Sequence, residues 1–218
     1  MLSSDRKHSS AYSHLPIPRP PLQSNGMNFL AAAIHGQTPI WKQRGHADTT
    51  ELIGVQDYHL QCQVSEVVAY AAEYAIGDLP VAHFRIFLVL SEGRGAIQLN
   101  SKAFESHTTM LVVKYCSYDY SKSRGFMGTM TIPVIQAFTV REALEKLLSL
   151  NRDHYRLVPQ TGSGCRYWCS VVIADFIQCG WLYEGYADLF DRLASALKKD
   201  PRWRDVVMPS PSPRGTFY

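Results

Sequence analysis

The 218-residue chain has little charge of either sign to spare: 22 Lys and Arg stand against 19 Asp and Glu, a formal +3 at pH 7. Its basic residues are scattered, with no run longer than Lys198-Lys199. A protein that neutralises a phosphate backbone concentrates its positive charge, so nucleic acid is not an expected partner. Long apolar runs are missing too. The stretch from Phe84 to Leu90 is broken by Arg85 and is far short of the ~20 apolar residues that span a bilayer. Met1 to Ser13 is polar, without the apolar stretch of a secretory leader. Five cysteines cannot all pair, and the expectation is free thiols in a reducing, cytoplasmic compartment. There is no CxxC and no HxxxH element, so no metal site is expected. Gly162-x-Gly164 lacks the Lys-Ser/Thr of a P-loop, and no cofactor is called for. The sequence carries no signal for oligomeric state.

What is present divides the chain in two. Residues 1–48 read as a flexible tail, because Pro16, Pro18, Pro20 and Pro21 in a Ser-rich context favour extended chain over packing. Residues 49–218 read as a single α+β domain, an antiparallel sheet packed against two or three helices. Ala82 to Leu90 alternates as a strand and returns after Ser91–Gly95 through Ala96 to Asn100. Met110 to Tyr118 and Met127 to Ile135 are further strands, whereas Val64 to Tyr74, β-leaning and then Ala-rich, fits strand or helix. Thr139-x-x-Glu142 has the spacing of a capping box ahead of a helix bearing Val140, Ala143, Leu144, Leu147 and Leu148. A second helix opens at Cys165 after a Gly-rich turn, with Cys165, Trp168, Cys169, Val172, Phe176 and Cys179 on one stripe and Gly180 as its stop. A shorter helix is expected from Tyr186 to Leu197.

The chemistry-bearing residues gather around that second helix. A cysteine entering a helix N-terminus feels the positive end of the dipole, which lowers its pKa, and Arg166 adds positive charge. Gly164 would let a substrate backbone approach and leave amide N–H groups for an oxyanion. Cys165 is therefore a candidate nucleophile, with buried apolar filler as the plainer alternative. His83, opening the clearest strand, is a candidate base, with His154 as the alternative. Gln98 and Asn100 on the adjacent strand are the candidates for a third, orienting group. Arg85 could bind an anion, and Trp168 could line an apolar pocket or belong to the core.

His83-Phe84-Arg85-Ile86-Phe87-Leu88, Tyr155, Gly164-Cys165-Arg166-Tyr167-Trp168 and Gly215-Thr216-Phe217-Tyr218 resemble the conserved pieces of a fungal domain-of-unknown-function family, over about residues 64–218. Phe84 stands where that family usually has Trp, and the resemblance brings no activity with it. A more distant likeness is to circularly permuted papain-like proteins of the NlpC/P60 type. In those a strand histidine precedes a helix-opening cysteine, usually after Asn rather than the Gly164 found here. That likeness implies cysteine-dependent hydrolysis or acyl transfer on an amide, ester or thioester, with Cys165 as nucleophile and His83 as base. Two rivals stand beside it: a cofactor-free small-molecule-binding protein of fungal metabolism, and a non-catalytic protein-interaction module.

Overall fold

Val67 to Ala72 and Phe84 to Leu88 carry apolar side chains at both odd and even positions, so strands built from them bury both faces and belong at the centre of a sheet. The computed structural model describes residues 38–218 apart from 105, 106, 118, 120–122, 124, 160 and 162; most of the Pro-rich segment lies outside the described residues. The strands of the main sheet are β1 (Thr50–Ile53), β2 (Val64–Ile76), β3 (Leu79–Leu90), β4 (Ala96–Ala103), β5 (Thr109–Cys116) and β6 (Phe126–Pro133). They lie in the order β1-β5-β4-β3-β2-β6. Neighbours from β5 to β6 are antiparallel, while β1 runs parallel to β5. The fold is α+β, and the sheet is mixed rather than purely antiparallel because the four-residue β1, too short to show periodicity, joins its edge.

The helices are α1 (Asp57–Leu60), α2 (Val140–Ser149), α3 (Cys165–Gln178) and α4 (Leu189–Lys198), and β7 (Tyr155–Arg156) pairs with β8 (Thr216–Phe217) in a small second sheet. The Thr139–Glu142 capping box forms at the start of α2, with the Thr139 amide donating to Glu142 Oε2 at 2.6 Å. Leu144 of α2, Trp168 and Val172 of α3 and Leu193 of α4 join Phe84, Ile86 and Leu88 in one core. The opposite sheet face holds a smaller cluster of Val68, Tyr70, Ala72, Phe87, Ala96 and Cys116. The compact unit starts at Thr38, and Trp41, on the tail side of the boundary expected at residue 49, is buried in the main core. Among the described residues no helix is long and apolar enough to cross a membrane.

One irregularity of the sheet sets up the site. Pairing between β3 and β4 stops at Ile86↔Leu99, although β3 extends back to Leu79 and β4 on to Ala103. The two strands form a fork. The freed edge of β3 is taken by the C-terminal segment: the Val207 amide donates to the Pro80 carbonyl at 2.9 Å, and the Val207 carbonyl accepts from the Ala82 amide at 3.1 Å.

Candidate functional site

The N-terminus of α3 is fixed from two directions by one hydroxyl. Tyr155, fully buried on β7, donates through its Oη to the Gly164 carbonyl at 2.9 Å and accepts the Gly215 amide at 3.0 Å. Gly164 is the N-cap, with φ 138°, a backbone region that L side chains rarely adopt. A Cβ there would lie 2.7 Å from the Tyr155 hydroxyl, and one at Gly215 would collide with the same oxygen and with the Arg156 carbonyl. Tyr155, the glycine before Cys165 and the Gly215-Thr216-Phe217-Tyr218 end are thus parts of one hydrogen-bonded joint. Tyr155→Phe should leave the Gly164 carbonyl and Gly215 amide without this partner and lower stability by about 1–3 kcal/mol. A denaturant midpoint unmoved by that change would mean that the joint does not form.

A cavity of about 310 Å³ occupies the fork, and Cys165, His83 and Asn100 all line it. His83 Nε2 and Asn100 Oδ1 are 2.8 Å apart. An amide oxygen only accepts, so the proton of this bond sits on Nε2, and in the neutral ring Nδ1 is left as an acceptor. Cys165 is the first residue of α3, where first-turn amides have no intrahelical partner. The backbone at Phe84, the residue beside His83 on β3, and at Arg166 lies near enough to its thiol to favour the charged form.

Electrostatics here depart from the sequence expectation. Burial pushes the Cys165 thiol up, outweighing the Phe84 and Arg166 backbone and the Arg166 charge, which act in the opposite direction. Burial likewise lowers His83 to about 4, helped by the nearby Arg85 charge and opposed by the Asn100 hydrogen bond. The resting site therefore holds a neutral thiol and a neutral imidazole, not an ion pair. Desolvation wins over the helix dipole because the cysteine opens its helix inside the fork rather than on the surface. Much of the Arg166 charge is engaged elsewhere: its guanidinium lies 3.5 Å from Asp191 and donates to the Pro209 carbonyl.

The family model described as a domain of unknown function (DUF7770) matches residues 66–218. The chain belongs to this family. The matched span runs from β2 to the C-terminus and includes every residue of the His83, Asn100 and Cys165 arrangement. No curated protein and no solved structure matches the chain.

In this DUF7770 domain the fork brings together six of the nine residues singled out by sequence: Cys165, His83, Asn100, Gly164, Arg85 and Arg166 line the cavity, while Gln98 and His154 lie outside it. Trp168 lies outside it too. Its indole is fully buried in the core and donates through Nε1 to the Arg152 carbonyl at 2.7 Å. Ser101, Lys102 and Ser212 also line the cavity. Sequence reasoning passed over them because β4 beyond Asn100 and the C-terminal segment carry no periodic signal.

His154, the alternative base, belongs to a different cluster. His46 Nδ1 is 2.8 Å from Asp153 Oδ2, and His154 Nδ1 is 3.1 Å from Asp153 Oδ1. The ligand atoms of these three residues lie within 4.8 Å of one another, so they could hold a cation. The buried carboxylate is already met by Thr49 Oγ1 at 2.5 Å and Thr50 Oγ1 at 3.5 Å. As a hydrogen-bonded knot it fastens the segment before β1 to the loop before β7.

Proposed function

We propose that this chain is a cysteine-dependent hydrolase or acyltransferase acting on an amide, ester or thioester, with a permuted papain-like arrangement. Cys165 is the nucleophile, His83 the general base and Asn100 the group that orients the imidazole. The observation that carries the reading is the 2.8 Å bond from His83 Nε2 to Asn100 Oδ1 in the cavity that Cys165 lines. Nucleophile, base and orienting amide then occur in the chain order His83, Asn100, Cys165. Roles, rather than sequence positions, define such a triad.

With a neutral resting pair, His83 Nδ1 takes the thiol proton as the sulfur attacks the acyl carbon, so no charged pair has to exist beforehand. The oxyanion that forms is met by the first-turn amides at Cys165 and Arg166, which have no intrahelical partner. Collapse expels the leaving group, which takes the proton from the imidazolium, and leaves a thioester on Cys165. Water or an acceptor nucleophile gives its proton to His83, attacks the thioester and restores the thiol.

The raised thiol pKa favours a second reading, a cavity that binds a small molecule without covalent chemistry. Hydrolysis of p-nitrophenyl acetate separates the two. Nitrophenolate release should exceed the buffer rate, and Cys165→Ala should return it to background. Equal release from the parent and Cys165→Ala would remove the nucleophile and leave the binding reading. None of the five cysteines forms a disulfide, which supports a reducing, cytoplasmic location within the same proposal.

A further inference from the structure

Five buried side-chain polar atoms among the described residues have no hydrogen-bond partner, and three of them belong to residues lining the cavity at Cys165: Arg85 Nε, Ser101 Oγ and Ser212 Oγ. Buried polar groups are nearly always partnered, so their concentration in one cavity marks a place where another molecule completes the bonding. Ser101 is only 3% exposed, which leaves its hydroxyl no ready alternative in bulk water. The charge balance points the same way. Arg85, Lys102 and Arg166 line the cavity, and among the described residues no carboxylate does. The charge of Arg166 is engaged by Asp191. The Arg85 guanidinium makes no ion pair or hydrogen bond among the described residues, and its charge is felt by His83.

We propose that the cavity binds the carboxylate of an anionic acyl substrate, with the Arg85 guanidinium and the Ser101 and Ser212 hydroxyls as its donors. The proposal rests on Cys165 as the nucleophile and adds the chemical class of what it attacks. One guanidinium and two hydroxyls suit the two oxygens and single charge of a carboxylate. A phosphate dianion would bring more oxygens and more charge than this donor set answers. The neighbouring Phe84, Leu157, Val207 and Met208 suit an apolar acyl chain between the carboxylate and the reacting carbonyl.

The test compares alkylation of Cys165 by iodoacetate and by iodoacetamide, read by peptide mapping of the native full chain. The ratio of the two rates cancels the thiolate fraction, which both reagents share. Relative to glutathione, the ratio at Cys165 should favour iodoacetate by about tenfold, as a cationic low-dielectric cleft concentrates anions. Arg85→Met should abolish that preference and Arg85→Lys should keep most of it. In the parent chain, where folding is not in question, propionate should protect Cys165 from iodoacetate better than inorganic phosphate does. A glutathione-like ratio with brisk labelling by both reagents would overturn the carboxylate site while leaving a reachable thiol. Better protection by phosphate would overturn the choice of carboxylate. Labelling by neither reagent until urea is added would overturn this proposal and the nucleophile reading together.

Discussion

His83→Ala should slow p-nitrophenyl acetate turnover by roughly 10²–10⁴-fold, the usual contribution of a positioned general base. The effect should be large because the neutral Cys165 thiol, pushed up by burial, has little thiolate of its own to fall back on near neutrality. The pH dependence follows from the sign of the His83 shift. With its pKa lowered to about 4, the imidazole is already unprotonated and able to accept a proton at pH 5. Activity should hold from about pH 5 towards neutrality and fall only as the pH drops through about 4. Asn100→Ala should lower the rate less than His83→Ala does, since it releases the ring's orientation without removing the base. An acid limb near the ordinary imidazole value of about 6.5 would mean that the ring is not desolvated against Arg85. Loss of activity in Asn100→Ala with no loss in His83→Ala would assign the base elsewhere.

Trp168→Ala should cost roughly 3–5 kcal/mol, the largest stability loss we expect from one truncation at the site. Its indole is fully buried, and the change also removes the donor to the Arg152 carbonyl. The guanidinium of Arg152 grips Asp175 of α3 with bonds of 2.6 and 2.9 Å and lies over the Phe217 ring. Loosening the indole therefore disturbs the anchor of α3 and the β8 end together. Against the typical total of about 5–15 kcal/mol for a domain, this is a large fraction, and the denaturant midpoint should fall sharply. A midpoint close to the parent's would show that the indole is not packed under α3, and the positioning of Cys165 would need another origin.

Much of this was legible because the signals were local. The Thr139–Glu142 box, the stripe of Trp168, Val172 and Phe176, and the alternation from Ala82 to Leu90 each report on one element's own face. The Ala-rich Val64 to Tyr74 stretch was ambiguous because β2 is paired on both edges, by β3 and β6, and that pairing overrides composition. The four residues of β1 and the two each of β7 and β8 are too short for any period to show. At the site, His83, Asn100 and Cys165 could be picked out by residue type and position. The fork that joins them could not, since it depends on where the β3–β4 ladder ends and on Val207 bridging the freed edge of β3. Nor could the neutral state of the pair be read, since burial of Cys165 is set by tertiary packing around the helix end. Trp168 was assigned both to the core and to a pocket because a helical stripe does not say which of its members meets a cavity.

The central claim is that Cys165 carries an acyl group during turnover. Quenching the reaction with p-nitrophenyl acetate in acid, within the first turnovers, and mapping the peptides by mass spectrometry tests it most directly. The mass of one acetyl group should appear on the peptide containing Cys165 in the parent chain and accumulate more slowly in His83→Ala. A quenched chain that carries no acetyl group at Cys165 while nitrophenolate is being released, or one acetylated there equally fast without His83, would contradict the account.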